Sequence, residues 1–131
     1  MFDSDDDPPP AELLVCVKCK AGRPVAEDEP TPGRRLFDAL EAAGAPQGVT
    51  VTAVECLQNC DRGCTVALRG GPARWTYVYG DVDGAQGAET IREGAAAYRA
   101  TLDGLIPWRA RSQHFRKHCI ARIPPLEPAH A

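Results

Sequence analysis

Apolar and polar positions alternate in short blocks along this chain, and this pattern predicts a small α/β protein. The run E-L-L-V-C-V over residues 12–17 is typical of a buried strand. The run V-T-V-T-A-V-E over residues 49–55 alternates and is rich in β-branched residues, which indicates a second strand. Residues 65–68 and 75–79 predict two more strands. The Gly-Gly-Pro turn within residues 69–74 joins them into a hairpin.

Two helices are predicted between and after these strands. The first is expected to begin with Thr31 as its N-cap and Pro32 as its first residue, and to end at Gly44. The second is expected over about 88–103, where Gly104 closes it. Its apolar face would carry Ile91, Ala95, Tyr98 and Leu102.

The order strand, helix, strand, hairpin, helix matches a reduced thioredoxin-like fold. We therefore expect a four-stranded mixed sheet with two main helices in a domain over residues 12–106. Residues 1–11, with four Asp and three consecutive Pro, predict a disordered acidic leader. Residues 107–131 form a basic, Pro-containing C-terminal extension, whose Phe115 and Ile123 have enough apolar character to pack on the domain.

Composition and charge narrow the class of protein. The 131 residues carry a net charge of −3, and the body is acidic while five Lys or Arg against one Glu make residues 107–131 basic. We expect no nucleic acid as a partner, because the body has no basic face rich in aromatics. Apolar runs stay far below the roughly 20 residues that span a bilayer, and the start of the chain is acidic. These features predict a cytoplasmic protein with no membrane association.

The six cysteines are the feature that points to chemistry. Cys16 and Cys19 form a C-x2-C pair after the first strand, and Cys56 and Cys60 form a C-x3-C pair after the second. Clustered cysteines of a cytoplasmic chain are metal ligands or catalytic groups more often than disulfides. Two pairs from two loops suit the two irons of a [2Fe-2S] cluster. Cys64 is a buried thiol, a fifth candidate or a replacement ligand.

Cations stand beside these cysteines and would offset the negative charge of such a cluster. They are Lys18, Lys20, Arg23 and Arg62, each of which is equally well explained as ordinary surface charge. Cys119 lies alone in the C-terminal extension and is expected to be an incidental thiol. His114 and His118 are four residues apart, a spacing that suits a metal on a helix, but we expect them to be solvated.

Several blocks of the sequence resemble a known bacterial family. The segments L-L-V-C-V-K-C, V-E-C-L-Q-N-C-D-R-G-C-T-V-A-L and A-R-I-P-P-L are similar to those of predicted metal-binding proteins over roughly residues 12–126. That family is grouped with the thioredoxin-like [2Fe-2S] ferredoxins and is often associated with cobalamin biosynthesis. The resemblance implies a one-electron carrier rather than an enzyme, with redox proteins as partners and a homodimer as its assembly.

The resemblance also implies ligand positions, with one departure. It places ligands at Cys16, Cys19, Cys56 and Cys60. The ferredoxins separate their first two ligands by more residues than this chain does, and they need no third cysteine such as Cys64. Cys64 is therefore an alternative to Cys19 in the ligand set.

Two other functions fit the cysteine pattern. Two short Cys pairs also describe a structural or metal-handling zinc site, although a chain of this length does not need zinc to fold. The C-x2-C pair also resembles the motif of a thiol-disulfide oxidoreductase that would use Cys16 and Cys19. In such enzymes a helix follows the second cysteine directly, whereas here Lys20 and several prolines intervene.

Overall fold

The structure, a computed structural model, describes residues 8–20, 25–26, 28–57, 62–84 and 86–127. Five strands and three α-helices are assigned within these ranges. The strands are β1 (Ala11–Cys16), β2 (Val49–Val54), β3 (Val66–Arg69), β4 (Thr76–Tyr79) and β5 (Cys119–Ile123). The helices are α1 (Pro32–Ala43), α2 (Ala88–Arg99) and the short α3 (Gln113–Lys117), and a 3₁₀ turn covers Trp108–Ala110.

The strands form one mixed sheet in the order β2-β1-β3-β4-β5. β1 and β2 are parallel, and the remaining neighbours are antiparallel. The prediction of a mixed α/β sheet with two main helices is confirmed. The strand count of four is wrong, because β5 adds a fifth strand beside β4. Its sequence, C-I-A-R-I, lies in the segment that was expected to be an extension.

Helix α1 forms where its caps predict it. The Thr31 hydroxyl accepts from the Arg34 N–H at 3.0 Å, Pro32 is the first helical residue, and Gly44 ends the helix with φ of +86°. Leu36 and Leu40 fall on its buried side. Both are almost fully excluded from solvent and pack into the core.

Helix α2 ends about four residues earlier than its periodicity predicts. Ala100 caps it, and the Thr101 hydroxyl then donates to the Tyr98 carbonyl and accepts from the Gly104 N–H, both at 2.7 Å. These bonds turn the chain away from the helix axis. Leu102, expected on the buried face, is consequently 63% exposed. The expectation was correct for Ile91, Ala95 and Tyr98, which are buried.

The core lies between one face of the sheet and the helices. Leu13 and Val15 of β1, Val66 and Leu68 of β3, and Tyr77 of β4 belong to it. The opposite face of the sheet is polar at its centre. There Glu12 accepts from Thr52 and Arg69, each at 2.9 Å, across three neighbouring strands. Leu14 of β1 and Ala67 of β3 lie on that same face and are also buried, so alternation along the strands separates core residues from solvent residues only in part.

Candidate metal centre

The two cysteine loops meet because β1 and β2 are parallel. Cys16 is the last residue of β1 and pairs with Val54, the last residue of β2. Parallel neighbours end at the same edge of a sheet, so the chain leaves both strands at one place. The Cys16 thiol donates to the carbonyl of Glu55 at 3.6 Å. Cys56, the next residue, therefore lies beside the first cysteine loop.

The N-terminus of α1 holds the first cysteine loop in position. The Gly33 N–H donates to the Cys19 carbonyl at 3.1 Å, and the Thr31 hydroxyl donates to the Val17 carbonyl. A Cβ on Gly33 would lie 2.0 Å from the Cys16 carbonyl oxygen and 3.3 Å from the Cys19 Cβ. Only glycine therefore allows the helix to approach this loop so closely.

Cys64 lies at the same end of the sheet as Cys16. It precedes β3, which neighbours β1 on the side opposite β2. Its backbone exchanges two hydrogen bonds of 3.1 Å with Val82, and the Gly63–Cys64 peptide bond is cis. Burial is the main reason that the pKa of Cys64 is raised to about 12, and the nearby Cys19 and Cys16 thiols contribute to this rise.

Three of the described thiols are thus buried in the protein interior. The exposed fraction is 3% for Cys16, 2% for Cys19 and 0% for Cys64. The spacing of the cysteines predicted that Cys16 and Cys19 lie together, but it did not predict where Cys64 lies. One signal was available in the sequence: Cys64 opens an apolar strand directly after the second cysteine loop.

The other cysteines have different surroundings. Cys56 is exposed at the end of β2, and Cys60 lies outside the described residues. Cys119 is exposed on β5 opposite Tyr79, and its thiol donates to the Ala121 carbonyl at 3.6 Å. Three strand spacings separate β5 from β1, which places Cys119 roughly 14 Å from the end of β1.

The described thiols are side chains of a kind that binds metals. Thiolates are the ligands that both iron-sulfur clusters and zinc take in proteins. Among the described ranges, however, no three His, Cys, Asp or Glu side chains form a group that could hold a metal ion. The ligand set expected from the sequence also includes Cys60, which those ranges do not contain. The donor chemistry fits a cluster, and Cys16, Cys19 and Cys56 are the expected ligands that the described residues include.

Arg62, one of the expected cations, forms an ion pair with an acid. Its Nε and Nη2 donate to Asp81 Oδ2 at 3.2 and 2.8 Å, and the Asp81 N–H donates to the Arg62 carbonyl. These bonds to Arg62 hold the pKa of Asp81 below its ordinary value. Lys18 and Lys20 are exposed, and Arg23 lies outside the described residues.

The two histidines, which were expected to be solvated, are partly exposed, and each also has a hydrogen-bond partner within the fold. His118 Nδ1 lies 2.9 Å from Asp81 Oδ2, and His114 Nε2 lies 2.9 Å from the Gly80 carbonyl oxygen. Their rings are 4.6 Å apart between centroids. Because β5 pairs with β4, α3 is brought to the edge of the sheet where the cysteines lie. This long-range pairing could not be inferred from the spacing of the histidines.

These features define a thioredoxin-like α/β fold with a cysteine-rich edge. The chain is similar in fold to the thioredoxin-like [2Fe-2S] ferredoxin from Aquifex aeolicus, with a TM-score of 0.51 and 20% identity over 89% of this chain and 96% of the other. The crystal structure at 1.5 Å resolution of the wild-type form gives a TM-score of 0.52 and 18% identity, over 86% of this chain and 98% of the other. At such identity the likeness shows the fold alone.

The sequence itself places the chain in a family. Residues 13–125 match the family model described as a protein of unknown function, DUF1636, and the chain belongs to that family. None of the curated proteins matches it. Within the described ranges, no helix has both the length and the apolar character needed to cross a bilayer.

Proposed function

We propose that this protein is a one-electron carrier that holds a [2Fe-2S] cluster in its two cysteine loops, and that it is not an enzyme. The observation that carries the proposal is the meeting of both loops at one edge of a thioredoxin-like sheet. The proteins to which the fold is similar are described as [2Fe-2S] ferredoxins. Low identity limits that support to the shared architecture.

In this proposal Cys16 and Cys19 hold one iron, and Cys56 and Cys60 hold the other. The bound cluster supplies reversible one-electron transfer. The protein keeps the inner thiols away from water, since Cys16 and Cys19 are buried. An all-thiolate cluster would have a low potential, about −400 mV as in plant-type ferredoxins. Partners would be redox proteins in the cytoplasm, and the assembly a homodimer.

A role in cobalamin biosynthesis is a further part of this proposal. It rests on the family resemblance of the sequence blocks and on no feature of the fold. The chemistry of an electron carrier is compatible with such a pathway, because a carrier needs only a donor and an acceptor of suitable potential. Deletion of the gene followed by measurement of cobalamin production tests this part separately.

The oxidoreductase alternative is disfavoured by burial. An attacking cysteine needs an accessible thiolate. Cys16 and Cys19 are each at least 97% buried, and neither presents its sulfur to a substrate. The zinc alternative uses the same thiols, so metal analysis must separate it from the iron-sulfur proposal.

The first prediction concerns the anaerobically purified protein. We expect visible charge-transfer bands that bleach with dithionite, together with about two iron and two acid-labile sulfide per chain, as a [2Fe-2S] cluster requires. Absorption, iron, zinc and sulfide are measured on one sample. A colourless protein with one zinc per chain would overturn the carrier in favour of a zinc module. A protein with neither metal would overturn both.

A further inference from the structure

The C-terminal segment carries cations that the proposed metal centre does not use. Five Lys or Arg residues lie in it, namely Arg109, Arg111, Arg116, Lys117 and Arg122. A basic segment joined to an acidic body could fold back and pair with the carboxylates of that body. No carboxylate in the described ranges forms an ion pair with any of the five. Within those ranges, their charge is therefore not offset by direct pairing.

The segment packs on the domain through apolar and backbone contacts instead. Phe115 is buried and stacks on Tyr79, and β5 pairs with β4. Arg109, Arg116 and Lys117 remain exposed. The fold thus holds three cations at the protein surface, where a partner can reach them.

Trp108 lies among these cations and is 60% exposed. The guanidinium groups of Arg111 and Arg116 lie 5.5 and 5.6 Å from the centroid of its ring. Arg116 also donates to the carbonyls of Trp108 and Arg109, at 3.2 and 3.3 Å. These contacts restrict the rotamers of Arg116 before any partner binds. A side chain that is ordered in advance loses less conformational entropy on binding.

The composition of this surface is typical of a protein–protein interface. Trp and Arg are enriched among the residues that contribute most of the binding free energy in such interfaces. Contact with a partner would remove the apolar ring of Trp108 from water, which is favourable. Positive charge around an exposed aromatic residue requires negative charge on the partner.

Nucleic acids and anionic membranes fit this surface less well than a protein does. Both are extended polyanions that would also face the rest of a chain whose net charge is −3. Guanidinium groups already cover part of the Trp108 ring on which a nucleic-acid base would stack. A folded protein needs to match only the local surface.

We propose that Trp108, Arg109, Arg116 and Lys117 form a docking surface for a partner protein whose contact face carries Asp and Glu side chains. Partner carboxylates pair with the three cations, and an apolar group of the partner contacts Trp108. This inference rests on the proposed function, because the partner is the electron donor or acceptor of the carrier. It adds the place of contact and the charge that the partner presents.

Zero-length cross-linking tests the surface on the full-length wild-type protein. The chain has three lysines, of which Lys117 lies in this surface and Lys18 and Lys20 lie in the first cysteine loop. A carbodiimide joins a lysine amine to a carboxylate in contact with it. In a lysate of the source organism, we expect Lys117 to be joined to an Asp or Glu of one partner protein, identified by mass spectrometry. Products joined only through Lys18 or Lys20, or no product, would overturn the proposal.

The identified partner is then purified, and its dissociation constant is measured with full-length variants. Arg109→Glu should weaken binding about tenfold, because it replaces an attraction with a repulsion. Arg35→Glu is the matched control, since it makes the same charge change at an exposed position of α1, which packs on β1 and β2. It should bind as the wild type does. Equal losses in the two variants would overturn the docking surface, because net charge would then explain both.

A DNA duplex and phosphatidylserine vesicles test the other classes of partner. We expect neither to bind in a way that depends on Arg109. Binding that Arg109→Glu abolishes and Arg35→Glu retains would assign the surface to phosphate groups and overturn the protein partner. Cross-linking does not require the cluster, so iron and sulfide measured on the same sample test the carrier function separately. A Lys117 product from protein without iron would reject the carrier alone.

Discussion

His114 shows how the position of a single residue changes its proton affinity. Its ring is half-buried beside the turn at Gly80, and burial lowers the pKa of His114 below its ordinary value. The neighbouring His118 lowers it further, whereas the hydrogen bond to Gly80 and the charge of Asp81 act in the opposite direction. The folded protein therefore binds a proton at His114 less readily than the unfolded chain does.

This difference predicts a pH dependence of stability. A group with a lowered folded-state pKa binds fewer protons in the folded state, so stability rises with pH over that range. We expect the free energy of unfolding to fall as the pH is lowered from 7.5 to 5.5, through the ordinary histidine pKa of about 6.5. His114→Gln should reduce this loss. Urea unfolding at both pH values measures it.

Lys117→Gln is the control for that experiment, because it changes charge on the same short helix without removing a group that titrates in this range. It should keep the wild-type pH dependence. If His114→Gln and the wild type lose the same free energy between the two pH values, His114 is not the group responsible.

Helices α2 and α3 contact each other at Gly94 of α2, which faces Phe115 of α3. A Cβ on Gly94 would lie 2.1 Å from Phe115 Cζ. Phe115 is buried and stacks on Tyr79, with ring centroids 3.9 Å apart. Gly94 lowers the helix propensity of α2, but the absence of a side chain is what lets Phe115 enter the core.

Gly94→Ala is therefore expected to destabilise the protein in spite of its better helix propensity. Overpacking typically costs about 1–3 kcal/mol, while the propensity gain is at most about 1 kcal/mol. In a Phe115→Leu background the same substitution should cost less, because the ring that it meets is gone. Chemical unfolding of the two single variants and the double variant measures this coupling.

Ala96→Gly, on the exposed side of α2, isolates the propensity effect and should destabilise by about 1 kcal/mol. An increase in stability on Gly94→Ala in the wild-type background would contradict the packing argument. It would mean that Phe115 can move away from α2 without lowering the free energy of unfolding. The coupling to Phe115→Leu would then be absent.

At the scale of the whole molecule, Arg74 joins segments that are distant in sequence. Its buried guanidinium donates to five backbone carbonyls, two of them before β1, one in the hairpin turn and two at the end of α2. The acceptors are Pro9, Pro10, Gly70, Arg99 and Thr101. The Arg74 side chain therefore holds these three segments together at the end of the sheet opposite the cysteines.

We expect Arg74→Lys to lower the free energy of unfolding by about 3 kcal/mol. An ammonium group cannot reach all five carbonyls, and buried acceptors left without donors cost about 1–3 kcal/mol each before relaxation. Arg69→Lys is the matched control. Arg69 is more than half exposed and pairs with Glu12, so its loss should be within about 1 kcal/mol. Equal losses would show that the five bonds add nothing.

The elements of this protein were largely predictable because their signals are local. Thr31, Pro32 and Gly44 set both ends of α1, and alternation marked β2 and β4. Helix α2 was extended too far, because Leu102 continues the apolar period although the Thr101 hydroxyl turns the chain. Strand β5 was missed, because its partner β4 lies about 40 residues earlier and pairing at that separation leaves no local pattern.

The sequence by itself determined the order of the elements and the two cysteine loops, since caps, periodicity and Cys spacing act over a few residues. Only the tertiary structure decided which groups meet. Parallel pairing of β1 and β2 brings Cys56 to the same end of the sheet as Cys16, and two backbone hydrogen bonds with Val82 hold Cys64 in the neighbourhood of Cys19. Such contacts depend on which strands pair and how the whole sheet packs against the core. The spacing of cysteines along the sequence contains no information on that long-range pairing.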